Sequence, residues 1–507
     1  MEEVTSSIAD RFTRNHSISL RWWVLLTVII GTFLGRLDQT IVNLALPKII
    51  LDFSITVTQA SWIATAYILA NAIFVPIWGK LGDTIGRKKV YILGFTIFII
   101  GSVLAGLAWN LSSMIVFRVI QAIAGSADYP TAMAIIAVTF PDLKERAQAL
   151  GLWSTSFAVA SVFGPLIGGP LIDNFGWRSV FLINLPIGLL GLFMALMFIK
   201  ESVSEVSTVH FDWGGSITLG IALSALVLVL DKGNDWGWTS LESSLCYVTM
   251  LIFGYIFYRI DQKHAEPIVD FKFFKMPAFN GALINNFIVF MGMMGGVFLI
   301  PVFVQTYLGY SATESGYLFM PMAFTMMLAN PIGASLTGKV QPRYVIAAST
   351  FVASIGIFLF TALDARSTAL DVIFPLTIMA FGLGFGMAQR TNIIAAVVPP
   401  QEIGMASSVL ALARNIAGAF GIALFATILN NSIETNLLNI AKNSVVNSAD
   451  PVIRSQVAAL MILKAQVLSY RTVFFTAAIV LVCATILVFF TINIKEIKHA
   501  ASLTIEG

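Results

Sequence analysis

Gly79-Lys80-Leu81-Gly82-Asp83-Thr84-Ile85-Gly86-Arg87-Lys88-Lys89-Val90 stands between two long apolar runs, and its reading decides the fold. A short charged stretch flanked by runs long enough to cross a bilayer is a loop between two membrane helices. Glycines at 79, 82 and 86 let the backbone turn tightly and let helices approach closely. Asp83 and Arg87 stand four apart, the spacing at which two side chains pair on one helical face. The basic run Arg87, Lys88, Lys89 marks this side as cytoplasmic by the bias of positive charge toward that compartment.

Outward from this loop the whole chain reads the same way. Of its 507 residues 57% are hydrophobic and only 11% charged, against roughly a quarter charged in a soluble domain. The fold expected is an all-α integral membrane protein with about fourteen apolar runs, from 22–46 to 473–493. Basic residues gather in alternate loops, including Arg11, Arg14 and Arg21, Lys144 and Arg146, Lys200, Lys339 with Arg343, and Lys495 with Lys498. With an even number of spans, both termini are expected in the cytoplasm. Residues 1–21 do not read as a cleaved signal, because the following apolar run is long enough to span and carries no small-x-small cleavage site.

Several function classes are excluded at this level. A net charge of +3 is too small to argue for nucleic acid as a partner. Cys246 and Cys483 lie inside different spans, and His16, His210, His264 and His499 fall in tails or loops, which argues against a disulfide framework, a metal cluster or an intramembrane histidine relay. No P-loop, nucleotide-binding domain or nucleophile-base constellation is present, so neither ATP-driven transport nor an enzyme is expected. The expected cofactor is none.

The simplest partition places six spans in residues 1–200, two in 201–275 and six in 276–507, the last with a long outer loop at about 430–471. Gly338-Lys339 followed by Arg343 is a degenerate echo of Gly79-Lys80 and Arg87 at the matching place in the second half. Two repeated halves around a midplane site are what a rocking-bundle transporter needs. In the loop from about 430 to 471, apolar and polar residues alternate at roughly helical spacing, so an amphipathic segment on the outer membrane surface or a flexible loop is expected there.

Asp38 is the sharpest chemical feature. It lies within the first span, where a carboxylate costs roughly 2.5–3.5 kcal/mol and therefore faces a cavity or a partner rather than lipid. Two readings are open: a proton-binding acid, or an aspartate held ionised by an arginine from another helix. Arg36, two residues away, lies on nearly the opposite face. Arg118 and Gln121 are one turn apart and share a polar face. Asp128 lies ten residues beyond Arg118, about 15 Å further along the axis, and is a separate intramembrane acid. Ala160, Gly164 and Gly168 form a small-residue stripe within Gly164-Pro165-Leu166-Ile167-Gly168-Gly169-Pro170, which permits close helix packing, while the prolines bend the helix. Glu314 and Arg390 fall near span ends and read as interfacial anchors.

The 79–90 stretch resembles the signature loop of the major facilitator superfamily, G-x-L-(G/A)-D-x-x-G-R-(K/R)-(K/R). The resemblance implies two six-helix bundles and a cytoplasmic latch formed by Gly79, Gly82, Asp83, Gly86, Arg87 and Lys88. Leu37-Asp38-Gln39-Thr40-Ile41-Val42-Asn43-Leu44-Ala45-Leu46-Pro47 resembles the first-helix motif of the fourteen-helix drug:proton antiporters, the EmrB/QacA type. Arg118-Val119-Ile120-Gln121-Ala122-Ile123-Ala124-Gly125 is similar to the fourth-helix motif R-x-x-Q-G-x-x-(G/A), with Ala122 in place of the usual glycine. Gly164, Pro165, Gly168 and Gly169 match the antiporter motif G-P-x-x-G-G. Further similarity runs through Trp177-Arg178, Asn184 to Gly188, Leu230 to Gly233 and Arg414 to Gly418.

What the resemblance implies is a proton-coupled exporter of amphipathic, lipophilic, including cationic, small molecules, working by alternating access in the cytoplasmic (inner) membrane. Asp38, Arg118, Gln121 and Asp128 would bind protons or substrate, and Gly164 to Gly169 would form the flexing helix interface. The implied partners are the substrate, protons and the lipid bilayer, with a periplasmic adaptor protein and an outer-membrane channel where the source has two membranes. Alternatives on the same fold are export or flipping of a lipid, siderophore or other endogenous metabolite, and a sensor that kept the fold without transport.

Overall fold

The computed structural model describes residues 19–202, 212–264, 267–269, 271–337, 339–398, 403–444 and 450–491. Arg11, Arg14, His16, His210, Asp270, Gly338, Lys495, Lys498 and His499 lie outside them. Among the described residues the only regular structure is helical. In chain order the helices are α1 (Leu20–Phe53), α2 (Val57–Ile85), α3 (Arg87–Gly106), α4 (Leu111–Gly125), α5 (Asp128–Thr139), α6 (Leu143–Phe175), α7 (Ser179–Leu182) and α8 (Asn184–Phe198). They continue as α9 (Trp213–Trp236), α10 (Leu241–Asp261), α11 (Pro277–Tyr307), α12 (Ala312–Ala334), α13 (Pro342–Leu359), α14 (Ala369–Ala396), α15 (Ile403–Lys442) and α16 (Pro451–Thr491).

Among the described residues twelve helical stretches are long and apolar enough to cross a membrane. The 33-residue α6 and the α4–α5 pair, broken at Ser126 and Ala127, stand where the sequence reading placed the other two of its fourteen runs. With the face bearing residues 79–90 taken as the basic side, the opposite ends form the far side. There, short connections restart helices with capping boxes: Thr56/Gln59 before α2, Asn110/Ser113 before α4, Ser311/Glu314 before α12 and Thr368/Asp371 before α14. Each satisfies backbone donors that the first turn leaves unpaired. Glu314, read as an interfacial anchor, is one of these caps.

Two features depart from the sequence reading. The 79–90 stretch is helical almost throughout, with a single corner at Gly86, whose φ of +112° is one that side-chain-bearing residues rarely adopt. Asp83 thus lies in the last turn of one helix and Arg87 begins the next. The outer segment 430–471 is also mostly helix. α15 has 40 residues and α16 has 41, each about 60 Å long, twice the hydrocarbon thickness. They extend past the membrane on the far side as a hairpin, tied by Asn436 Nδ2 donating to Ser469 Oγ at 3.0 Å.

α1 packs on α6 and α8, and α4 on α2 and α3. In the second half α14 packs on α12 and α13, and α11 on α15 and α16. The halves meet where α6 lies on α12, α2 on α15 and α1 on α11. α9 rests on both α2 and α15, at that seam, whereas α10 packs chiefly on α9 and is the least buried of the spans.

Candidate functional site

The first-half bundle closes around Asp38. Its carboxylate is fully buried, as are Gln121, Asn184 and Ser102, and Arg118 is 2% exposed. Arg118 Nη1 donates to Asp38 Oδ2 at 2.5 Å and to Gln121 Oε1 at 2.7 Å. Gln121 Nε2 and Asn184 Nδ2 both donate to Asp38 Oδ1 at 2.9 Å. Asn184 Nδ2 also reaches Ser102 Oγ at 2.8 Å, and Ser102 Oγ donates to the Phe181 carbonyl at 2.9 Å. The Arg118 guanidinium lies 4.0 Å from the Tyr67 ring centre, a favourable cation–π distance. Four helices, α1, α3, α4 and α8, thus contribute to one ion pair whose two carboxylate oxygens are both occupied. The geometry is that of a buried ion pair between two helices, braced by amide donors, Gln121 beside Arg118 and Asn184 from a third helix. Ser102 and Tyr67 were not singled out in the sequence, and Asn184 entered only as part of a stretch of family resemblance; the signal was their polarity inside apolar runs.

Asp128 stands apart at the start of α5. Its Oδ2 accepts from Thr32 Oγ1 at 2.7 Å, and Trp153 Nε1 donates to the same hydroxyl at 2.8 Å. Its Oδ1 is buried and has no hydrogen-bond partner among the described residues. That oxygen borders a cavity of about 20 Å³ lined by Gly31, Gly35, Tyr91, Gly94 and Gly125 among others, enough for one water molecule. The absence of side chains at 31 and 94 creates the space: a Cβ at Gly31 would collide with the Tyr91 hydroxyl and approach Asp128 Oδ1 to 3.2 Å. Arg36 and Tyr129 lie within electrostatic reach of this corner, and Arg36 Nη1 donates to Gln39 at 3.1 Å rather than pairing with Asp38.

In the second half, Arg390 corrects the reading of a snorkelling anchor, for it is 2% exposed in the bundle interior. Its Nε donates to Asn285 Oδ1 at 2.8 Å, and Nη2 to Ser349 Oγ at 3.0 Å and Thr350 Oγ1 at 2.9 Å. Arg414 donates through Nε to Asn286 Oδ1 at 3.3 Å and through Nη2 to Thr391 Oγ1 at 3.2 Å, with the Phe290 ring 5.0 Å away.

The glycine motif of α6 has two working faces. A Cβ at Gly164 would collide with the Thr40 hydroxyl, and one at Gly168 would lie 3.0 Å from Ile41, so this face seats α1. A Cβ at Gly169 would collide with the Thr313 backbone, and one at Gly316 would lie 2.5 Å from the Pro165 carbonyl oxygen, so the other face seats α12. Beyond them Asp173 accepts from Thr313 N at 2.8 Å, Thr313 Oγ1 at 2.6 Å and Ala312 N at 3.2 Å. With Gln305 Nε2 to the Leu44 carbonyl and Thr58 Oγ1 to the Ala426 carbonyl, these contacts hold the halves together on the far side.

At the basic side Gly82 faces Thr131, with 3.5 Å from its ideal Cβ position to the methyl. Glu201, a residue not singled out in the sequence, accepts from Lys88 N at 3.1 Å and Lys89 N at 3.2 Å, an acid at the N-terminus of α3. Lys88 Nζ donates to the Leu196 carbonyl at 3.0 Å. The surroundings of Gly79 and the Asp83 side chain lie outside the described residues.

A family model described as Major Facilitator Superfamily matches residues 28–422. The chain is 33% identical over 416 residues, 81% of its length and 76% of the relative's, to the multidrug transporter protein MdtP of Bacillus subtilis. It is 30% identical over 441 residues, 86% of its length and 81% of the relative's, to the multidrug resistance protein Stp of Mycobacterium tuberculosis. It is also 32% identical over 416 residues, 82% and 90% of the two chains, to the riboflavin transporter RibZ of Clostridioides difficile. Among solved structures, a bacterial homologue of the human lysosomal transporter Spinster, inward-facing and occupied, superposes with a TM-score of 0.69 at 17% identity, covering 94% of this chain and 98% of that one. At that identity the likeness speaks to the fold alone.

Proposed function

Since the chain belongs to the major facilitator superfamily, we propose that it is a proton-coupled exporter of amphipathic small molecules, lodged in the cytoplasmic membrane with both termini inside. The relatives named for multidrug transport and resistance support the direction and the breadth of cargo. The observation that carries proton coupling is the unequal state of the two intramembrane acids. Neutralising Asp38 would leave the Arg118 guanidinium buried without its counter-charge, at a cost of several kcal/mol. Neutralising Asp128 breaks no ion pair among the described residues, and its Oδ1, without a partner among them, borders space for a water molecule. Asp128 is therefore the proton carrier, and the Asp38–Arg118 pair fixes the helices around it.

In this cycle the contacts of α6 with α12 and of α1 with α11 seal the far side while cargo enters between the halves from the basic side. Rocking then exposes Asp128 to the far side, where it takes a proton, and return delivers the proton inward. Similarity to a riboflavin transporter supports a second reading of the cargo, an endogenous metabolite, on the same cycle. The test is transport of acidic, neutral and basic amphipathic dyes in proteoliposomes under an imposed pH gradient. Asp128→Asn is expected to abolish gradient-driven accumulation while dye-for-dye exchange persists. Gradient-driven accumulation that survives Asp128→Asn would overturn the assignment.

A further inference from the structure

The two halves of the bundle treat buried arginine differently. Arg118 meets a carboxylate; among the described residues Arg390 and Arg414 meet only amides, hydroxyls and a ring. They are neighbours, because their partners are neighbours: Asn285 and Asn286 are consecutive in α11, and Thr391, which bonds Arg414, follows Arg390 in α14. The two guanidiniums lie close enough to repel each other. The acids of the described second half, Glu314, Asp364, Asp371, Glu434 and Asp450, all sit at far-side helix ends or connections, too remote to serve as counter-ions. Neutral dipoles moderate a buried cation but do not cancel it, and two together keep a positive potential in a medium of low dielectric.

That potential reaches the space between the halves. Arg414 is only partly buried and lies within electrostatic reach of Tyr129 on α5, in the opposite half. Tyr129 is 43% exposed, and its ring centre lies 5.3 Å from that of Trp153. It is also in the field of Arg36, which acts in turn on Asp128. Two guanidiniums, Arg414 and Arg36, thus bear on this region against the one carboxylate of Asp128, with the Tyr129 and Trp153 rings beside them and Arg390 behind Arg414.

We infer that Arg390 and Arg414 form an anion subsite, so the cargo is an amphipathic acid, a lipophilic carboxylate or sulfonate, whose apolar body rests on the aromatic residues. This rests on the reading that cargo passes between the halves. It also replaces the lipophilic cation implied by the family resemblance. A cation there would face like charges, whereas an acid would supply the missing counter-charge and receive charge-assisted hydrogen bonds.

Tetraphenylborate and tetraphenylphosphonium have the same shape and opposite charge, and their binding to the purified full-length protein in detergent, by equilibrium dialysis, tests the inference. Tetraphenylborate is expected to bind tighter by about tenfold or more, and Arg414→Gln to remove about that factor while Arg414→Lys keeps most of it. Arg390→Gln is expected to act in the same direction, and Arg414→Gln, at the less buried position, carries the test if the Arg390 variant fails to fold. Equal or tighter phosphonium binding, or borate affinity unchanged in Arg414→Gln, overturns the anion subsite. If neither ion binds but a neutral dye is still transported, the subsite fails and the exporter stands; if no dye is transported either, both fail.

Discussion

At Asp38 a proton has to displace a guanidinium, whereas at Asp128 it meets an oxygen with no described partner. The difference gives each acid its own mutational signature. Asp38→Asn keeps the shape of the side chain but leaves Arg118 as an uncompensated buried charge, and removing one partner of such a pair costs about 3–5 kcal/mol. We expect a lowered melting temperature in detergent for Asp38→Asn, and substantial recovery in Asp38→Asn combined with Arg118→Gln, which removes the stranded charge. A single variant as stable as the parent would show that Asp38 is already neutral in the resting protein. That both acids and Arg118 stand inside apolar runs was legible in the sequence, because charge there is conspicuous. Their division of labour was not, because it depends on Asn184, Gln121 and Ser102 arriving from three other helices. Arg390 was misread for the same reason: its position near a span end suggested snorkelling, and only the packing of α11, α13 and α14 around it reveals a polar, buried niche.

The α6 helix shows the same division one level up. Its small-residue spacing announces close packing from sequence alone, but the partners are fixed by tertiary structure: Gly164 and Gly168 seat α1, and Gly169 with Pro165 seats α12. The first contact lies within one half and the second between halves, so substitutions one residue apart have different consequences. Gly169→Ala places a methyl against the Thr313 backbone, which unlike a side chain cannot rotate away, and overpacking of this kind costs about 1–3 kcal/mol. Since that cost falls only on the state closed at the far side, the variant is expected to favour far-side opening. Spin labels on Phe175 and Tyr317, both exposed, should report a longer distance in Gly169→Ala than in the parent; an unchanged distribution would show that α6 and α12 do not separate there. Of the three glycines expected to turn the backbone, the sequence could not single out Gly86 as the corner, because glycine is equally at home in a loop and at a break between two helices that run on either side of it.

Across the whole molecule, the composition and spacing of apolar runs foretold an all-helical membrane protein with about fourteen crossings, because burial in lipid forces backbone polar groups into helices. How the extra pair attaches was not foretold, since lipid-facing and protein-facing apolar residues look alike in sequence. The structure places α9 at the seam. Gly220 of α9 approaches Ile73 of α2, with 3.1 Å from its ideal Cβ position to the side chain. Nearer the far side, Thr427 Oγ1 of α15 donates to the Leu230 carbonyl of α9 at 3.1 Å. One helix thus touches both bundles, and rocking must break or slide one of these contacts. The contact with α2 is side-chain packing in the hydrocarbon region, whereas the one with α15 includes a hydrogen bond beside the far-side contacts that open in the proposed cycle. If α9 stays with α2, fastening it to α15 locks the halves. Leu230→Cys with Thr427→Cys, in a chain whose free thiols Cys246 and Cys483 are replaced by serine, can be joined by a cleavable bifunctional thiol reagent. Joining is expected to stop transport in proteoliposomes and cleavage to restore it. Transport that continues with the bridge intact would mean that α9 travels with the second half, and the sliding surface would then be its packing on α2.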